Sequence, residues 1–253
     1  MARHPLLVGI IASSCALLCQ FSPAAQGDTI SLAYVGLEAG GTENVTYNST
    51  NYNVINGLLK LNTQNPVGPL ASAMTNPEWI FCFELNQFAD GNYNTYNVQY
   101  LGSTIGSTKA EMIRQLWAQH YSAGWESNTL IFTNNWAPGQ PANTAENVNT
   151  LAMNLSIYEI AYDYSGPLSS LNLAAGNFTA SSTNPAAITT ANTWLSALVL
   201  DVNYSGPKAN LLSLTNANKQ DYIVEIPPPV NVPEPASAAL LILSSSCILL
   251  RRR

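Results

Sequence analysis

The pattern of apolar and polar positions separates two apolar ends from a middle of mixed periodicity. Strand-like runs come first in the middle, as in residues 30–37 and in Glu78–Leu85, where side chains alternate with the strand period of two. Between residues 108 and 198 the apolar positions recur instead at helical spacing, in three stretches. A last strand is predicted over residues 221–226. This order predicts an α+β domain with a barrel-like sheet core and an inserted helical subdomain of about three helices.

Three local signals predict where the chain turns and where helices begin. Asn56-Gly57 is typical of a hairpin turn. Thr108 and Glu111 have the spacing of a capping box, which predicts the start of the first long helix. Asn184 before Pro185 predicts the start of the third helix, because asparagine caps helices and proline suits their first position.

The N-terminal apolar run is typical of a secretory signal peptide. Arg3 and His4 give a short basic opening, Leu6–Leu18 an apolar region, and residues 23–27 a region of small residues suited to cleavage. We therefore expect residues 1–27 to be removed on export. Residues 28–226 then form the exported domain.

The C-terminal end has three parts in sequence. A short motif is followed by the apolar run Ala236–Leu250, which is below the roughly 20 residues that a helix needs to cross a bilayer. Terminal arginines hold that end on the cytoplasmic side. The motif and the basic cluster consist of Val232, Pro233, Glu234 and Pro235, and of Arg251, Arg252 and Arg253.

This tail resembles the PEP-CTERM sorting signal of bacterial envelope and matrix proteins. The resemblance implies recognition and cleavage by an exosortase near the Pro-Glu-Pro motif. Residues 227–235 are then a proline-rich spacer with the motif, and residues 236–253 a transmembrane segment with its arginine cluster. We expect an inner-membrane-anchored form before processing and a cell-surface or extracellular form afterwards. An ordinary membrane anchor without processing is the alternative.

Charge and motif content exclude several classes of protein. Residues 28–226 contain five basic and fourteen acidic residues, which argues against nucleic-acid binding through clustered lysine and arginine. The sequence has no metal-ligand spacing of His, Cys and carboxylates and no glycine-rich phosphate loop. We expect neither a metal nor another cofactor.

The exported domain keeps a single cysteine. Cys15 and Cys19 fall in the signal peptide and Cys247 in the tail, which leaves Cys82. An internal disulfide is therefore excluded, and the domain must be held by its apolar core. Cys82 is either a buried small hydrophobic residue or a thiol that takes part in chemistry.

Phe81-Cys82-Phe83 and the helical run from Met153 to Asp163 together resemble the thioester-domain family of bacterial surface adhesins. The resemblance implies a strand thiol and a helix amide that condense to a thioester, which then reacts with a nucleophile such as an amine. Cys82 stands at the cysteine position, and Asn154 stands where the family has glutamine. Asparagine is one methylene shorter, which places its carbonyl about 1.5 Å short on a fixed helix. We expect the fold to carry over and the site to be degenerate, with Cys82 and Asn154 as packed neighbours.

These observations favour a non-enzymatic adhesion or matrix protein, whose partners are the exosortase and the secretion machinery together with surface amines or exopolysaccharide. A polysaccharide-binding module that stacks sugars on exposed Trp125 and Trp136 is the alternative, although both rings could instead cap the core. A hydrolase built on Cys82 and His120 is a third hypothesis, and its orienting group is not identifiable from the sequence.

Overall fold

The structure, a computed structural model, describes residues 27–126, 144–181, 184–200 and 204–227. Within these residues it confirms an α+β fold, with seven antiparallel strands and five α-helices. The strands are β1 (Thr29–Tyr47), β2 (Thr50–Val67), β3 (Glu78–Cys82), β4 (Asn94–Tyr100), β5 (Phe178–Ser181), β6 (Leu211–Asn216) and β7 (Lys219–Glu225). The helices are α1 (Pro69–Ser72), α2 (Leu101–Ile105), α3 (Ser107–His120), α4 (Ala145–Asp163) and α5 (Pro185–Ser196).

The strands pair in the order β2-β3-β7-β6-β4-β1-β5, and β1 also pairs with β2. Six strands therefore form a closed ring of hydrogen-bonded neighbours. The start of β1 pairs with β4, while its far end, Asn44–Tyr47, pairs with β5 outside the ring. Every described strand and helix lies between Thr29 and Glu225, so residues 28–227 carry the whole described fold.

β1 and β2 form one long hairpin, and the prediction of a turn at Asn56-Gly57 was wrong. The chain reverses at Asn48 and Ser49, whose φ angles of 47° and 65° suit a two-residue type I′ turn. Gly57 lies inside β2, opposite Gly40 of β1. An added Cβ at either glycine would meet a backbone oxygen of the other strand at 2.1 Å. The glycines there permit a close approach of two strands.

The helix starts were predicted in part. Asn184 caps α5 through the N–H of Ala187, with Pro185 at the first helical position, as predicted. The capping box at Thr108 was wrong, because Gly106 is the N-cap of α3 and no side chain caps that end. Glu111 instead forms an ion pair with Lys208 at 2.7 Å.

α4 is the central helix of the domain, since most of its side chains are buried. It packs against β1, β2, α3 and α5, so it crosses the hairpin at the two close glycines. Among the described residues, no helix is both long and apolar enough to cross a membrane. Three parts of the sequence predictions lie outside the described residues. They are residues 1–26 of the predicted signal peptide, Trp136, and the chain after Pro227 with its sorting motif.

Candidate functional site

The structure brings Cys82 and Asn154 into direct contact. Asn154 Nδ2 donates a hydrogen bond to the main-chain carbonyl of Cys82 at 2.9 Å. Asn154 Oδ1 accepts one from the main-chain N–H of Gly57 at 3.2 Å. Cys82 is 4% exposed and Asn154 is fully buried. The amide thus uses both of its ends to join β2 to β3 through α4.

A second asparagine of α4 has the matching role on β1. Asn147 Oδ1 accepts a hydrogen bond from the main-chain N–H of Gly40 at 3.0 Å. Asn147 and Asn154 are seven residues apart, which places both on one face of the helix. Leaving a buried N–H without a partner costs about 1–3 kcal/mol. The two asparagines therefore stabilise the close approach of Gly40 and Gly57.

The thiol of Cys82 is buried, and its surroundings favour the protonated form. Burial raises its pKa, and the negative charge of Glu84 raises it further. The pKa values of Tyr34 and Tyr158 are raised as well, chiefly by burial and also by the nearby Cys82. Since the thiolate is the nucleophilic form of cysteine, this arrangement favours an inert thiol.

Cys82 also lines a cleft of about 510 Å³, which we call the Cys82 cleft. This volume lies within the roughly 300–1,000 Å³ that is common for ligand pockets. Its rim carries Phe88 and Ile55, which are 87% and 42% exposed, and Glu84 is the only charged side chain among its described lining residues. The lining consists of Tyr34, Asn51, Tyr52, Asn53, Val54, Ile55, Leu59, Cys82, Glu84, Leu85, Gln87, Phe88, Ala89, Tyr158 and Gln220.

A second pocket of about 260 Å³ is lined by Glu78, Glu126 and Glu225. Each carboxylate accepts a hydrogen bond from a neutral donor, as when Trp117 Nε1 donates to Glu225 Oε2 at 2.8 Å. Burial raises the pKa of Glu78 to about 7, and the charge of Glu126 adds to the shift. No described group of His, Cys, Asp and Glu side chains is arranged to hold a metal ion.

Two further candidate residues have structural roles. Trp125 is only 7% exposed and packs edge-on against Tyr121, with ring centroids 5.4 Å apart. Its ring belongs to the core beneath α3, so it does not offer an exposed face to a sugar. His120 stacks on Trp194 at 4.2 Å, and burial lowers its pKa. His120 is not among the residues that line the Cys82 cleft.

Comparisons with protein-family models, with curated proteins and with solved structures found no match to this chain. The Cys82 cleft is lined by a buried thiol and by apolar and amide side chains, and the hydrogen-bonded amide of Asn154 lies beside it. Such a site suits reversible binding better than acyl transfer. The sequence pointed to Cys82 and Asn154 through the thioester-domain motifs, and the strand period of two places Glu84 on the same face as Cys82. It gave no signal for Phe88 or Ile55 as cleft residues.

Proposed function

We propose that this protein is an exported component of the bacterial cell surface or extracellular matrix that binds its partner without covalent chemistry, through the Cys82 cleft. The observation that carries the proposal is the double hydrogen bonding of the Asn154 amide beside an open cleft. Its scaffold is of the thioester-domain kind, with a barrel-like core and a degenerate Cys82–Asn154 site.

Two contacts argue against a thioester at this site. Bond formation would require the Cys82 thiol to attack the amide carbon of Asn154 and release ammonia. Asn154 Oδ1 and Nδ2 are instead held by the main chains of Gly57 and Cys82. The raised pKa of the buried thiol further disfavours attack. The amide is thus a structural link, and binding is left to the cleft.

Delivery to the cell surface is supported by the two ends of the chain. The basic and apolar N-terminus favours export, and the Pro-Glu-Pro motif, short apolar run and terminal arginines favour handling by an exosortase. The protein is first held in the inner membrane by residues 236–253 and is then released to the surface or matrix.

The binding role is tested by retention of the full-length protein in the surface fraction of producing cells. Ile55→Lys puts a charged side chain at the rim of the cleft, where Ile55 is 42% exposed. Val67→Lys makes the same kind of change elsewhere on β2, where Val67 is 40% exposed. Loss of retention in Ile55→Lys alone is the expected result. Equal retention of both variants and wild type would exclude the cleft as the binding site.

Delivery is tested separately by replacing Arg251, Arg252 and Arg253 with alanine and following the protein by cell fractionation. The expected result is failure of surface release, with the uncleaved chain found elsewhere. Normal release of this variant would contradict exosortase sorting through the tail, while the cleft variants remain informative about binding.

A further inference from the structure

β2 has a hydrogen-bonding edge that opens into the Cys82 cleft. One side of residues 50–58 pairs with β1, whereas β3 joins the other side only at Leu59–Leu61. After Cys82 the chain that forms β3 turns away from β2, because the N–H of Phe83 donates a hydrogen bond to the carbonyl of Asp221 in β7 at 3.2 Å. The space where β3 departs from β2 is the cleft, which Asn51–Ile55 line.

The hairpin fixes the direction of each backbone group on this edge. N–H and C=O groups of successive residues alternate between the two sides of a strand. Tyr47 and Thr50 form the pair next to the two-residue turn, so their backbone groups face each other. The N–H of the next residue, Asn48, points the other way and donates to the carbonyl of Asn177 at 3.0 Å. Even-numbered residues of this part of β2 therefore face β1, and odd-numbered residues face away from it.

Gly57 agrees with this alternation, because its N–H points away from β1 and is bonded by Asn154 Oδ1. Ile55, Asn53 and Asn51 follow on the same edge in steps of two. Within residues 27–126, 144–181, 184–200 and 204–227, the three N–H and three C=O groups of these residues have no hydrogen-bond partner. All three residues are exposed.

We propose that the Cys82 cleft takes an extended peptide segment of a partner protein, which adds to β2 as a strand alongside Asn51, Asn53 and Ile55. The proposal rests on the proposed function, since it names the chemistry of the partner in that cleft. Main-chain hydrogen bonds give the affinity in this mode of binding, and pockets for alternate side chains give the selectivity.

The lining of the cleft indicates which peptides fit. Leu85, Phe88 and Tyr158 offer apolar surface to side chains on one face of the added strand. Glu84 is the only charged residue in the described lining, so acidic peptides are disfavoured. Apolar side chains with neutral or basic neighbours are therefore the expected composition.

The free edge of β2 is better suited to a peptide strand than to a polysaccharide as its ligand. Proteins usually protect free strand edges with lysine, proline or bulges. Residues 50–55 contain no lysine or proline, and Tyr52, Val54 and Ile55 favour strand structure. A polysaccharide binds through ring faces and hydroxyl groups and has no need of a two-residue repeat of N–H and C=O. The repeat is what a peptide backbone requires.

A matched pair of variants isolates one backbone donor. Asn53→Pro removes the N–H that faces the cleft, at an edge position where proline is tolerated. Asn53→Ala keeps that N–H. Both variants lose the same side-chain hydrogen bond, from Asn53 Nδ2 to Asn44 Oδ1 at 2.9 Å, so they differ in the backbone donor and in the φ angle that proline fixes.

The probe is a synthetic peptide selected from a random displayed library against residues 28–227, with its affinity measured by calorimetry. Asn53→Ala is expected to bind within a few-fold of wild type, and Asn53→Pro to lose about tenfold or more. Binding is also expected to slow amide exchange at Ile55 and Asn53. N-methylation at alternate positions of the peptide is expected to abolish binding, and this readout does not depend on how the proline variant folds.

Equal affinity of the two Asn53 variants, together with tolerance of N-methylation at every position, would overturn the added strand. A library without binders, or neutral oligosaccharides that bind where peptides do not, would overturn the peptide as ligand. If Ile55→Lys nevertheless loses surface retention, the proposed function stands and only the ligand class fails. If Ile55→Lys is retained like wild type, the proposed function fails whatever the peptides do.

Discussion

The side-chain amide of Asn154 donates a hydrogen bond to the main-chain carbonyl of Cys82 over 2.9 Å, so a helix side chain completes the edge of a strand. The other end of the same amide accepts from Gly57. One buried side chain thereby fixes how β2, β3 and α4 lie against one another. The stability of the hairpin beside the cleft depends on this contact.

Asn154→Ala should strongly destabilise the protein. It leaves the Cys82 carbonyl and the Gly57 N–H buried without partners, and the expected loss in the free energy of unfolding is roughly 2–5 kcal/mol. Urea denaturation of residues 28–227 measures it. Asn44→Ala removes an exposed asparagine contact instead and should change stability by less than about 0.5 kcal/mol. Similar losses in both variants would contradict the structural role of Asn154.

The Cys82 thiol should be free and unreactive in the folded protein. Burial shields it and raises its pKa, so a maleimide reagent should label it only after unfolding. Intact-mass measurement should give the mass of the unmodified chain, with Cys82→Ala as the unlabelled control. A mass lower by one ammonia, with no thiol titratable after unfolding, would show that a thioester forms after all.

Gly57→Ala should be far more harmful than Gly41→Ala, although both change a glycine of the same hairpin. A Cβ at Gly57 would lie 2.1 Å from the carbonyl oxygen of Ala39, and its φ is 130°. We expect a loss of at least about 2–3 kcal/mol in unfolding free energy. At Gly41 the nearest atom is Leu151 Cδ1 at 3.9 Å, so a near-neutral effect is expected. Comparable melting temperatures for the two variants would refute the close approach.

Stability should decrease as the pH rises from mildly acidic to alkaline values. Burial raises the folded-state pKa of Glu78 to about 7 and of Glu159 to about 8, from an ordinary 4.5. Between the ordinary pKa of 4.5 and these raised values, Glu78 and Glu159 keep protons in the folded protein that they have released in the unfolded chain. The free energy of unfolding therefore falls with pH, by up to about 1.4 kcal/mol per pH unit for each group. The stabilisation is fully present below about 4.5 and is lost by about 8.

Glutamine variants check this dependence by urea denaturation across the pH range. Glu78→Gln and Glu159→Gln keep an acceptor for the N–H groups of Thr75 and Asn172, but they cannot titrate. Each variant should flatten part of the pH profile, and the double variant should flatten most of it. An unchanged slope in the double variant would mean that other groups control the pH dependence.

Local chemistry predicted the structure best where one short segment decides the outcome. Asn184 and Pro185 begin α5 as predicted, because capping and a fixed φ act within a single turn. The turn prediction at Asn56-Gly57 was wrong, because Gly57 is needed where the backbones of β1 and β2 come close together. Its partner there, Gly40, is far away in the sequence. β6 was missed altogether, because Leu211–Asn216 is short and lacks a clear alternation of apolar and polar residues.

The candidate site was predictable only as a pair of residues. Motifs drew attention to Cys82 and Asn154, but the partners of the Asn154 amide are main-chain groups. Which main-chain groups lack partners is decided by strand pairing across the whole sheet. The open edge at Asn53 likewise exists because β3 leaves β2 to follow β7. No local pattern in the sequence records that departure.

The position of β7 determines how the domain responds to mechanical force. β7 pairs with β3 on one side and β6 on the other. A pull on the chain beyond Pro227 therefore loads two ladders of hydrogen bonds at once, and neither can open alone by peeling a strand from an edge. In the surface protein that we propose, a load applied from that side reaches the sheet through these two ladders, and the cleft shares it through Cys82 of β3 and Gln220 of β7.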